Sequence, residues 1–205
     1  MKIFSRQSII YYWFILLFII GLYFSKDFGV SWDEHYHRKQ GKQTIAYVAK
    51  VFGVDDFISI PKDLKDPEIG IGGYGPIFEI FCLISEKLFS VDDIKNKYLL
   101  KHKINFSIYF IGVFLFYLFL KKNFANRPLG LVGAMFYFLN PRVFAHGFFN
   151  PKDSISQALL ACSLLPLFLS YKNKNISMSV LSGFLIGIAI TIRLPIIYLP
   201  FLFIL

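Results

Sequence analysis

Two adjacent carboxylates, Asp33 and Glu34, follow an uncharged run at 8–25 and sit between Trp32 and Tyr36. A carboxylate pair held at the expected depth of a membrane surface is costly unless something uses it. An enzyme acting on a lipid-linked substrate keeps its base at that depth. The bland alternative is a helix start, where an aspartate cap contributes about 1 kcal/mol. A second group of ionisable residues gathers in the segment running from Asn140-Pro141-Arg142 to Asn150-Pro151-Lys152-Asp153-Ser154, which includes His146. Arg142, His146 and Lys152 beside Asp153 make a pocket able to hold an anionic headgroup and run base chemistry. Snorkelling anchors and another helix cap are the ordinary readings of the same residues. The third feature is Arg193, in an otherwise uncharged stretch. An arginine there costs several kcal/mol unless it meets water or an anion, and a phosphate matches its fork bidentately. An interface anchor is the alternative. His35 and His37 stand two apart, so on a helix they point to different faces and make a poor metal pair.

The elements that must position these residues are apolar. The spacing predicts spans at 8–25, 104–120, 129–140, 155–170 and 176–193, with the start of a further one at 194–205. The last run is 12 residues long, short of the roughly 20 that cross a bilayer, so the chain reads as the N-terminal part of a longer protein. The run at 8–25 is too long for a signal-peptide core and no small-residue cleavage site follows it. Short loops on one side carry Lys2, Arg6, Lys121, Lys122, Arg127, Lys172 and Lys174, against only Arg142 and Lys152 on the other. Positive-inside reasoning puts the N-terminus in the cytoplasm and places the loop 26–103 and the turn 141–154 together on the outer face. That long loop holds twelve acidic and twelve basic residues and does not affect the assignment. Within it, 34–51 has Ile45, Val48, Val51 and Phe52 at helical spacing, and Pro76 opens a second short helix through Phe89 that carries Glu79, Glu86 and Lys87. It reads as lying in the interface. The glycines of 70–76 make a bend between the two, since no Walker lysine or preceding strand supports a phosphate loop.

Bulk composition agrees. The chain has 205 residues, is 56% hydrophobic, has mean hydropathy +0.55 and contains 25 Phe and 12 Tyr, beyond the roughly 45–50% apolar content of soluble domains. The fold class expected is all-α, a polytopic transmembrane helix bundle whose long first loop carries juxtamembrane helices. The net charge of +9 is scattered beside apolar spans, which argues against a nucleic-acid partner. Cys82 and Cys162 lie in apolar surroundings without metal or disulfide spacing.

Four features together resemble the GT-C superfamily of integral-membrane glycosyltransferases, especially bacterial members related to dolichyl-phosphate-mannose protein mannosyltransferases and lipid A aminoarabinose transferases. They are Ser31-Trp32-Asp33-Glu34, the Tyr74-Gly75-Pro76 turn, the segment from Asn140 to Asp153, and the span containing Gly183, Gly187 and Arg193. The resemblance runs in order along nearly the whole chain. It implies transfer of a sugar from a polyprenyl-phosphate carrier to an acceptor hydroxyl on a lipid, glycan or protein, at the periplasmic face of a bacterial inner membrane. It makes Asp33 the base and Asp153 the second acid, with Glu34 able to share the role. Lys152 and Arg193 are placed at the lipid phosphate, and Arg142, His146 and Tyr74 join the substrate-binding set. No cofactor is implied, and a metal requirement stays open. Full members carry more helices, so an inactive fragment of the transferase is one alternative. The competing class is a non-enzymatic carrier or assembly scaffold, for which paired mid-membrane breaks are expected and none is seen.

Overall fold

The computed structural model describes residues 6–53, 75–124 and 127–198. Those residues are helical, with no strand among them: α1 (Arg6–Phe24), α2 (Glu34–Phe52), α3 (Ile77–Leu88), α4 (Ile94–Asn123), α5 (Arg127–Leu139), α6 (Pro141–Phe149), α7 (Pro151–Asn173) and α8 (Ile176–Ile192), then a 3-10 turn at Leu194–Tyr198. By length and composition α4 and α7 are long and apolar enough to cross a membrane, and Ser8–Phe24, Pro128–Leu139 and Ile176–Ile192 are shorter apolar helices. Helix α1 is apolar nearly all round and leaves Trp13, Ile15, Leu16, Ile19, Ile20 and Tyr23 exposed.

Helix α4 organises the fold. Its 30 residues span about 45 Å at 1.5 Å each, against roughly 30 Å of hydrocarbon. The excess lies at its start, where Lys95, Lys97, Lys101, His102 and Lys103 precede the apolar run. The span expected at 104–120 is thus the inner part of a longer helix, begun by Asp93, whose side chain accepts the Asn96 amide at 3.0 Å. Lower down, Phe106, Tyr109, Phe110, Val113 and Tyr117 of α4 pack against Phe14 of α1, Phe138 of α5 and Phe148 of α6. On its other side α4 meets α7 closely: a Cβ on Gly112 would stand 2.8 Å from the Ala158 Cα, the small-residue contact that lets helices in lipid approach.

The turn expected at 141–154 is mostly helical. Asn140 caps α6, its side chain accepting the Val143 amide at 3.2 Å, and Pro141 and Pro151 occupy first-turn positions of α6 and α7. Proline there loses no hydrogen bond, so two Asn-Pro pairs start two helices in succession. Helix α8 ends at Ile192, leaving Arg193 outside it in extended conformation (φ −140°, ψ 97°). Expectations for the bend at 70–74, including Tyr74, and for 199–205 fall outside the described residues.

Candidate functional site

The segment between α1 and α2 is laid over the start of α7 by aromatic packing. Phe28 stacks on Phe148 at 4.1 Å, and Phe148 on Phe106 of α4 at 4.8 Å. Three residues on, the Ser31 hydroxyl lies 3.3 Å from the Phe149 carbonyl and 3.0 Å from Asp33 Oδ1. Asp33 occupies the N-cap position of α2 but makes no capping hydrogen bond. Its carboxylate turns to α7 instead, where the Lys152 ammonium donates to Oδ2. His37, one turn along α2, places Nε2 3.4 Å from the same oxygen. Burial alone would raise the pKa of Asp33, but the Lys152 and Ser31 hydrogen bonds and the charges of Lys152 and His37 outweigh it and hold the pKa down at about 2.

A second pair lies beside the first, one residue along α7. Asp153 Oδ1 is bound by the Arg193 guanidinium, which the end of α8 frees to reach it. Asp153 Oδ2 accepts from Asn150 Nδ2 at 2.9 Å and lies 3.7 Å from His146 Nδ1. The corner between α6 and α7 is fixed from below by Asn105 of α4, which is fully buried. Its amide donates to the His146 carbonyl at 3.2 Å and its oxygen accepts from Ser154 at 2.7 Å. Gly75 completes the wall, because a Cβ there would stand 2.1 Å from the Thr191 carbonyl oxygen; only glycine lets this backbone lie against the end of α8. Asp33, Lys152, Asp153 and Arg193 all keep partial exposure, with side chains 31%, 21%, 17% and 37% accessible.

Glu34 goes elsewhere. It is fully buried, accepts the Ser31 amide at 2.7 Å, lies 3.1 Å from His102 Nε2 and 3.7 Å from Lys101 Nζ. Lys101 lies 2.7 Å from Glu79 of α3, while Arg38 of α2 forks onto Glu86 of α3, Nη2 to Oε2 being 2.6 Å. The hydrogen bond to Glu86 raises the Arg38 pKa above its already high ordinary value. These buried charges clamp α2, α3 and the start of α4 together, as buried ions need when they are paired and hydrogen-bonded. Of the residues read from the sequence, the structure therefore brings together Asp33, Lys152, Asp153, Arg193 and His146. Glu34 sits behind Asp33 and does not share its opening, and Arg142 is exposed at the start of α6 with no ion pair to a described carboxylate. Missed in the sequence were Lys101, His102 and Asn105, while Ser31, His37 and Asn150 were noted there without the site contacts they make. The one available signal was the density of polar residues at 95–105, directly ahead of an apolar run. Among the described residues no group of three or more His, Cys, Asp or Glu is placed to hold a metal ion.

Residues 104–205 match the family model described as dolichyl-phosphate-mannose-protein mannosyltransferase. No curated protein and no solved structure matches the chain. The matched segment supports the mannosyltransferase family and, with the apolar helices, a membrane glycosyltransferase. It contains His146, Lys152, Asp153 and Arg193 but not Asp33, so the Lys152–Asp33 contact joins the matched segment to the residues ahead of it.

Proposed function

We propose that the chain carries the outer-face site of a membrane glycosyltransferase that moves a sugar from a polyprenyl-phosphate carrier to an acceptor hydroxyl, at the periplasmic side of a bacterial inner membrane with the N-terminus in the cytoplasm. The observation that carries this reading is the pair of adjacent ion pairs, Asp33–Lys152 and Asp153–Arg193, which bring the head of α2 to the ends of the apolar helices α7 and α8. A base and two phosphate-binding cations are the groups that inverting transfer from a lipid phosphate requires.

Without donor, each cation is neutralised by a carboxylate. A bound phosphate, carrying more charge and more acceptor oxygens, competes for Lys152 and Arg193. Losing Lys152 has a definite consequence at Asp33. The hydrogen bond and charge that hold its pKa at about 2 weaken, and its basicity climbs toward that of an ordinary carboxylate. Donor binding thus both grips the leaving group and frees the base. Asp33 then takes the proton of the acceptor hydroxyl as its oxygen attacks the anomeric carbon, and the carbon–phosphate oxygen bond breaks toward Lys152 and Arg193. Cationic donors aimed at that developing charge contribute a few kcal/mol each.

The test is sugar transfer by the protein in proteoliposomes, supplied with labelled polyprenyl-phosphate sugars or with nucleotide sugars. Transfer from the lipid-linked donors, inhibited competitively by free polyprenyl phosphate, is the expected result. Absence of any polyprenyl-phosphate binding would contradict it.

A further inference from the structure

His37 is placed where a proton leaving Asp33 would go. It follows Asp33 by one helical turn, so both side chains share a face of α2. Its ring is 7% exposed, and Nε2 lies 3.4 Å from Asp33 Oδ2. It borders a cavity of about 20 Å³ together with Gln40, Pro76, Glu79 and Lys152, room for about one water molecule. The charged groups facing it are Asp33 at the head of α2, Glu79 from α3 and Lys152 from α7; Ile192 closes the α8 side without charge.

Once the leaving phosphate departs and Lys152 returns to Asp33, a carboxylate pressed by an ammonium is a poor resting place for a proton, while an imidazole is a good one near neutral pH. We propose that His37 is the proton relay of this site, receiving from Asp33 the proton taken from the acceptor hydroxyl; this rests on the transferase reading above. In the first step the acceptor O–H bond breaks as Asp33 Oδ2–H forms, the acceptor oxygen bonds the anomeric carbon, and the electron pair of the broken carbon–oxygen bond leaves on the phosphate. In the second, Asp33 Oδ2–H breaks and its electron pair stays on the carboxylate while His37 Nε2–H forms. The imidazolium then gives its proton to water, and the carboxylate is restored for the next turnover.

The experiment measures transfer from a labelled polyprenyl-phosphate sugar in proteoliposomes as a function of pH, for wild type, His37→Gln, His37→Ala and Asp33→Asn. A protonated His37 cannot accept, so wild-type kcat should rise through the imidazole range. His37→Gln should lose about tenfold or more in kcat, leave the donor KM unchanged, and lose that acidic limb. Added imidazole should restore His37→Ala in proportion to its free-base fraction. Wild-type kcat and pH profile in His37→Gln, with Asp33→Asn inactive, would overturn the relay and leave the transferase reading standing. Full turnover in Asp33→Asn, or no transfer by wild type, would overturn both. Should the His37 variants fail to fold, the wild-type pH profile decides the matter: kcat that is flat between about pH 5 and 8 would overturn the relay.

Discussion

Lys152 and Arg193 differ in what they offer a phosphate, and the difference is measurable. Arg193 presents a planar fork on an extended residue just past α8, while Lys152 is a point charge on the first turn of α7. Arg193→Ala should weaken polyprenyl-phosphate binding by roughly ten- to a hundredfold, the worth of a charged hydrogen bond, and Arg193→Lys by less, because it keeps the charge and loses only the fork. Equal and unchanged affinities would make Arg193 a structural anchor that only ties the end of α8 to Asp153. Asp33 supplies a second prediction. Its folded pKa of about 2 lies below its ordinary 3.8, so over that interval the unfolded chain binds more protons and stability rises with pH. The contribution is fully present above about pH 4 and is lost as pH falls toward 2. In thermal unfolding, the stability difference between wild type and Asp33→Asn should shrink over that window, and a pH-independent difference would show that Lys152 does not hold the carboxylate. The carboxylates and cations of the site were legible because charges at the ends of apolar runs are conspicuous. The pairing of Asp33 with Lys152 was not, since no spacing rule links residue 33 to residue 152.

At the scale of elements, α4 supports the site from beneath with two buried polar anchors. Glu34, tied to His102 and Lys101, holds the start of α2 down, and Asn105 holds the corner between α6 and α7. Breaking a buried ion pair by removing one partner costs about 3–5 kcal/mol, and an orphaned buried hydrogen-bonding group costs about 1–3 kcal/mol. Glu34→Ala should therefore lower the folded yield and the thermal midpoint in detergent more than Asn105→Ala, and both more than Asp33→Asn. Full stability in Glu34→Ala would mean the buried cluster is not what fixes α2. Much of this level was readable in advance. The apolar segments, the helix at 34–51 and the helix opening at Pro76 follow from periodicity and composition. The extension of α4 to Ile94 was hidden because hydropathy falls where a helix leaves the bilayer, although the helix itself continues. Helix α6 was hidden for a different reason: Asn-Pro reads as a turn, yet the same pair is a cap followed by a first-turn proline.

For the whole molecule, the central relation is that residues from the two ends of the sequence meet on one side of an apolar bundle, Asp33 with Lys152 and Asp153 with Arg193. By positive-inside reasoning, the excess of lysine and arginine in the N-terminal, 121–127 and 172–174 segments predicts that this side lies outside the cytoplasm. Single-cysteine labelling at Lys65, with Cys82 and Cys162 replaced by alanine, should proceed with an impermeant reagent on intact cells. Labelling only after permeabilisation would reverse the orientation and move the site to the cytoplasmic face. Hydropathy and charge bias are the two quantities from which the sequence predicts this orientation; which helices touch was not readable, because positions facing lipid and positions facing other helices are equally apolar. The most direct test of the account is sugar transfer from a labelled polyprenyl-phosphate donor by wild type and Asp33→Asn, with folding and donor affinity measured on the same preparations. Asparagine keeps the size of the side chain and removes the proton acceptor, and a positioned base is worth about 10²–10⁴ in rate. The account predicts that Asp33→Asn folds, binds donor and loses transfer by at least that factor. Wild-type turnover in that variant would contradict it.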